Sequence, residues 1–195
     1  WYLAHIQSNT FNVAGGTLPG IPVIIIGRNQ EMAWGVTNTG PDVQDLFLER
    51  VSPTNTDTYL TPDGISTFVQ RKETIKIKDR PDHEFIVRQT RHGPVISDFS
   101  NKYNQAQTAD EVVAIAWTAL SSIDTTLQAG FNLANSGSWS DFTSALQDFI
   151  APQQNFVAAH VNGDIGFIAP GKIPIRKTGN GWLPTQGWTG FGDWV

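Results

Sequence analysis

Three short stretches carry residue types whose spacing could do chemistry. The first, Trp34-Gly35-Val36-Thr37-Asn38-Thr39-Gly40-Pro41-Asp42-Val43-Gln44-Asp45, runs off a strand into a turn with two carboxylates three residues apart. Asp42 and Asp45 at that spacing can converge on a hard cation through oxygen ligands, the kind Ca²⁺ prefers; Asp42 can equally well only cap the turn. The second, Pro152-Gln153-Gln154-Asn155-Phe156, enters a strand directly after a helix. Amide side chains clustered at a strand mouth can donate hydrogen bonds to a developing oxyanion, or satisfy loop carbonyls, which is their more ordinary use. The third, Gly171-Lys172-Ile173-Pro174-Ile175-Arg176, sets an arginine behind a proline-stiffened turn. There it can orient a carboxylate or a catalytic amide, or form a structural ion pair.

Other chemistries lack their residues. The chain has no cysteine, which removes disulfides, thiolate metal sites and cysteine nucleophiles together while leaving the compartment open. Its four histidines, His5, His83, His92 and His160, include no pair three or four apart, and no nucleophile elbow or phosphate-cradling loop is present. A net charge of −5 without clustered Lys and Arg argues against a nucleic-acid partner. The basic stretches Arg71-Lys72 and Lys76 to Arg80 read as the wet sides of strands. No segment approaches the roughly 18 apolar residues of a membrane-spanning helix.

Elements must position these candidates, and the sequence is rich in strand signals. Runs at Trp1–Gln7, Phe11–Gly16, Val23–Ile26, Ala33–Thr37 and Leu46–Val51 are separated by Gly-Gly, Pro-Gly, Gly-Arg-Asn and Gly-Pro-Asp turns. Val23 to Ile26 is apolar on both faces and predicts a strand covered on each side. Pro53 to Gly64 has loop chemistry; strands follow at Ser66–Val69, Thr74–Lys78, Phe85–Thr90 and Val112–Thr118. Two helices come next. One is capped by Ser122 or Asp124, with an apolar face of Ile123, Leu127, Phe131 and Ala134. The other opens on the capping-box-like pair Ser138 and Asp141, with Trp139, Phe142, Leu146 and Phe149 on one face. Asn162-Gly163-Asp164 then turns a hairpin between Phe156–Val161 and Ile165–Ala169. The class is α+β dominated by antiparallel sheet, and the length predicts a single domain over 1–195.

The order of these pieces resembles the β subunit of the penicillin acylase family, N-terminal-nucleophile hydrolases that include acyl-homoserine-lactone and cephalosporin acylases. The resemblance is carried by Trp1-Tyr2, Thr17-Leu18-Pro19-Gly20, Gly27-Arg28-Asn29, Ala33 to Asn38, and Asp42-Val43-Gln44-Asp45-Leu46. It continues through Thr90-Arg91-His92-Gly93-Pro94-Val95, Trp117-Thr118-Ala119, Gln154-Asn155-Phe156, Asp164-Ile165-Gly166 and Pro174-Ile175-Arg176. It covers nearly the whole chain, and Trp1, which is no translation start, gives the expectation of an internal piece of a longer protein.

The resemblance implies a portion of the four-layered αββα fold and a precursor that cleaves itself. Cleavage exposes a serine upstream of this sequence, whose α-amino group acts as base; such amines titrate near pH 7.7–8.0, roughly the working pH. It implies that the backbone N–H of Asn38 and the side-chain amide of Asn155 hold the oxyanion, and that Arg176 stands near the nucleophile's amine. Asp42, the Gln44 carbonyl and Asp45 would contribute to a structural Ca²⁺ site, and the Ile24-Ile25-Ile26 run, Ile25 and Ile26 above all, would line the acyl pocket unless it only packs the core. Partners would be a small N-acyl substrate (a β-lactam antibiotic, an acyl-homoserine lactone or similar), an α subunit and the rest of the β subunit, in the periplasm or outside the cell. The chain alone is expected to be inactive. Arg28, where the family has histidine, and His160, where an aspartate is usual, depart from the pattern. A non-catalytic binding or scaffold domain is the alternative, favoured if the seven tryptophans shared one exposed face.

Overall fold

The structure is a computed structural model that describes residues 1–100 and 110–195. The chain folds as two compact units: residues 1–41 with 121–173, and residues 42–120 with 174–195.

The first unit is a six-stranded antiparallel sheet with two helices on one face. Its strands are β1 (Tyr2–Gln7), β2 (Asn12–Thr17), β3 (Ile26–Arg28), β4 (Met32–Asn38), β12 (Gln154–His160) and β13 (Ile165–Ile168), in that spatial order. The hairpin of β12 and β13 turns at Asn162-Gly163, with Gly163 at φ 99°. Helix α1 (Thr126–Ala134) and helix α2 (Trp139–Leu146) cover a core of Val13, Ile24, Trp34, Leu133, Phe142 and Phe156. α2 opens as its sequence predicts: Ser138 Oγ accepts the Asp141 N–H and donates to its carboxylate.

Two readings are corrected here. The buried face of α1 is Ala129, Leu133 and Ala134, while Ile123, Leu127 and Phe131 are exposed. Small residues bring the helix close to the segment before β3; a Cβ on Gly130 would overlap the Val23 side chain. Nor does Val23 to Ile26 lie in a sheet covered on both sides. The strand starts only at Ile26, and the face opposite the helices exposes Leu3, Ile26, Val157 and Phe167.

Asn29, in the turn between β3 and β4, ties sheet to helix. Its Nδ2 donates to the carbonyls of Ala134 (3.2 Å), the last residue of α1, and of Ser136 (2.7 Å), just past it. Its Oδ1 accepts the N–H groups of Glu31 and Met32. His160, the departure from the family pattern, caps its own hairpin. One ring nitrogen meets the Gly137 carbonyl and the other accepts the Asn162 N–H, and the Gly137 bond raises its pKa.

The second unit holds β5 (Gln44–Ser52), β6 (Asn55–Thr61), β7 (Gly64–Thr67) and β11 (Glu111–Trp117) in the order β11-β5-β6-β7, and β14 (Thr185–Gln186) pairs in parallel with β5. Beside them is a three-stranded sheet of β8 (Val69–Ile75), β9 (His83–Thr90) and β10 (Gly93–Pro94). The basic stretch on β8 is wet as expected, with Arg71 beside Glu73 and Lys72 beside Glu84 at the surface. Pro53 to Gly64, read as loop, contains β6. Thr, Tyr and Leu suit a strand whose one deeply buried side chain, Tyr59, packs on Phe68.

The core of this unit includes charges. Glu49 is fully buried and meets His92 Nδ1 at 2.6 Å; His92 Nε2 meets Asp193 at 3.0 Å, and the imidazole stacks on Phe47 at 3.6 Å. Among the described residues the second Glu49 oxygen has no hydrogen-bond partner, and it lies against Gly187, where a side chain would collide with it. Arg91 makes a two-pronged bond to Asp193 and a third to the Gly187 carbonyl, and Lys177 adds a contact to Asp193 at 3.3 Å. Burial alone would raise the Asp193 carboxyl. Hydrogen bonds from Arg91 and His92, with the charge of Arg91, outweigh it and hold the group well below the usual carboxylate range.

Asn29→Ala is expected to lower unfolding free energy by roughly 2–3 kcal/mol, because it strands several buried backbone groups; the urea midpoint measures it. Asp193→Asn is expected to cost roughly 3 kcal/mol at neutral pH. A depressed folded pKa stabilises above the unfolded value of about 4 and ceases to as pH falls through the folded one. The gap in melting temperature between wild type and Asp193→Asn should therefore narrow on acidification.

Candidate active site

In the first unit, β4 and β12 run antiparallel with Asn38 opposite Gln154 and Thr37 opposite Asn155. The two stretches singled out in the sequence, 116 residues apart, thus meet at one strand mouth, and the structure sorts their amides. Gln153 is buried and clamps loops, its Nε2 donating to the carbonyls of Ile150 and Lys172. Gln154 Nε2 donates to Asn38 Oδ1 at 3.0 Å, a bond across the strands that fixes the Asn38 side chain. Asn155, on the opposite side of β12, donates to Thr37 Oγ1 at 3.1 Å and to the Asn38 carbonyl at 3.4 Å. The last distance is long for an N–H···O bond. That hydrogen can turn to a stronger acceptor, and an oxyanion is one.

Ile25 and Ile26 separate. Ile25, with Ile24, Val36, Leu127, Phe149 and Gln154, lines an apolar cavity of about 420 Å³ between the sheet and the helices. Ile26 points to the other face, beside Trp1 and Leu3, as neighbours in extended backbone must.

In the second unit, Arg176 follows the Pro174 turn and its strand-like segment bridges to Trp194. Its Nε donates to Asp45 Oδ2 at 2.7 Å and its Nη2 to Asp45 Oδ1 at 2.9 Å; Nη2 also lies 3.1 Å from Asp42. The indole N–H of Trp194 donates to the same Asp45 Oδ2 at 2.6 Å. The Asp45 hydrogen bond and charge raise the pKa of Arg176 further, against desolvation. Gln44 only opens β5, opposite Trp117. Calcium takes about six to eight oxygen ligands. Here Asp45 faces three N–H donors, Asp42 faces a guanidinium, and among the described residues no three His, Cys, Asp or Glu side chains gather as a metal site. The residues as placed do not fit the cation.

Sequence reasoning missed the Glu49–His92–Asp193 chain and the Trp194 bond to Asp45. The first joins positions 43 and 101 residues apart and the second positions 149 apart, separations for which local pattern holds no signal.

A sheet whose strand mouth carries these amides defines, with the structure it matches, a portion of the N-terminal-nucleophile hydrolase fold. That match is to a thermostable penicillin G acylase from Alcaligenes faecalis, with a TM-score of 0.85 and 27% identity over the whole chain and 34% of the other. The chain belongs to the penicillin amidase family, whose model matches residues 1–195. It is similar to an acyl-homoserine lactone acylase QuiP of Pseudomonas aeruginosa, at 31% identity over all of this chain and 23% of that protein. It is also similar to the penicillin acylase 2 proenzyme of Pseudomonas sp. (strain SE83), at 29% identity over 97% of this chain and 24% of that one. The chain thus spans about a quarter of the length of the curated relatives it matches.

Proposed function

We propose that the chain is part of the catalytic subunit of a hydrolase that deacylates N-acyl compounds such as β-lactam antibiotics or acyl-homoserine lactones. The observation that carries this reading is Asn155 set beside Asn38 across one antiparallel ladder, in a chain of the penicillin amidase family. Relatives named as acylases and as a proenzyme support it.

In this reading a self-cleaved precursor exposes a serine upstream of these residues. Its hydroxyl attacks the amide carbonyl while its own α-amino group takes the proton, the amine leaves, and water hydrolyses the acyl-enzyme. The Asn155 amide and the Asn38 backbone N–H stabilise the oxyanion at each tetrahedral stage, and Arg176 positions the reacting amine. The apolar cavity beside Ile25 suits the carbon chain of an acyl group. An α subunit and the remainder of the β subunit complete the enzyme. We place it in the periplasm or outside the cell; no helix among the described residues is long and apolar enough to cross a membrane.

In the full-length protein, Asn155→Ala should lower kcat by about 10²–10³ with little change in KM, as loss of one oxyanion donor does elsewhere. Turnover of a panel of N-acyl substrates measures it; a variant as fast as wild type would remove Asn155 from the site.

A further inference from the structure

We propose that Asp45 is the positioning residue for Arg176, and that the Asp42–Arg176–Asp45 cluster is a cation site filled by the chain's own guanidinium in place of a metal ion. The inference rests on the reading of Arg176 given above and adds to it the residues that aim it.

Arg176 presents two of its edges to the protein. Nε and Nη2 meet the two oxygens of Asp45 in a parallel fork, and Nη2 reaches on to Asp42. Among the described residues no acceptor engages Nη1, so that corner is left to act on a bound group. A fork of this kind fixes the plane of the guanidinium as well as its place, which a single charge contact cannot do. Asp45 is in turn held on β5, its side chain 5% exposed, by the indole N–H of Trp194. An indole can only donate, so it demands an acceptor at Oδ2.

Gly181 closes the cluster. Its φ is 75°, and a Cβ there would overlap Asp45 Oδ1 and the Nε and Nη2 atoms of Arg176. The backbone therefore packs directly over the ion pair. A divalent cation bound by Asp45 would have to displace the guanidinium fork, and it would meet the positive end of the indole N–H dipole.

The test uses the full-length protein. Melting temperature and kcat should be unchanged by EGTA or by millimolar calcium. Asp45→Asn should lower kcat roughly 10²-fold, as misplacement of a positioned group by an ångström can, with KM little altered. The double variant with Arg176→Ala should be no slower than Arg176→Ala alone, because both remove one device. Gly181→Ala, which alters no charge and no oxygen ligand, should reproduce the kcat loss if Asp45→Asn fails to fold. A calcium-dependent rise in melting temperature that Asp45→Asn abolishes would overturn the proposal. So would additive losses in the double variant. Wild-type kcat in Arg176→Ala would sink the assignment of Arg176 itself and the positioning role with it, an outcome distinct from additive losses beside an inactive Arg176→Ala.

Discussion

The pairing of β4 with β12 is the constraint on which the first unit depends. Seven residues of each strand register from Met32 with His160 to Asn38 with Gln154, joining parts of the chain more than a hundred residues apart. Their inward side chains, Met32, Trp34, Phe156 and Ala158, supply much of the core that α1 and α2 cover. Their last two rungs carry the amides of the strand mouth. Because side chains alternate along a strand, a slip of one residue would send Phe156 to the open face and Asn155 into the core. Hydrophobic burial therefore sets the geometry of the polar site, and the cost of a wrong register is borne by the core.

The second unit is organised by charge to a greater degree. Glu49, Asp45 and Asp193 are each buried or nearly so, and each takes its partners from segments remote in sequence. Residues 174–195 hold few regular elements, and Ile175, Trp182, Leu183, Phe191 and Val195 are exposed, so apolar burial does little to fix them. What fixes them is directional: Arg91 and His92 on Asp193, Asp45 on Arg176 and Trp194, and the Glu49 carboxylate against Gly187. Buried ion pairs add little net stability compared with apolar packing, but breaking one is costly. Such a segment has few alternative arrangements that leave every buried charge partnered.

What the sequence makes legible follows the range of the interaction. The capping box at Ser138, the Asn-Gly hairpin and most strands of the first fifty residues depend on neighbours a few positions away, and they are where the pattern puts them. Three features fail for one reason, since each depends on a partner elsewhere. β6 forms because Tyr59 finds Phe68; α1 turns its small face inward because Val23 leaves no room for a larger one; Ile26 is exposed because, among the described residues of its unit, the helices pack on the other face of the sheet. The site divides likewise. Amides at 153–155 are visible as a cluster, but only the register shows that Gln153 serves loops, Gln154 fixes Asn38, and Asn155 has one weakly engaged hydrogen. The role of Arg176 came from resemblance, and its three contacts to Asp42, Asp45 and the Trp194 strand came from the fold.

The order in which the chain visits its two units has a consequence for synthesis and for engineering. The first unit is begun by residues 1–41 and resumed at 121–173; the second is begun by 42–120 and finished by 174–195. The first unit therefore cannot reach its full set of contacts until the ribosome has passed β11 of the second, nor the second until it has passed β13 of the first, and β4, paired early with β3, must wait for β12 on its other edge. No single scission releases either unit whole. A recombination crossover at any of the three boundaries divides at least one of them, and one between residues 120 and 121 divides both, so exchange between relatives keeps both intact only when these residues move as one block.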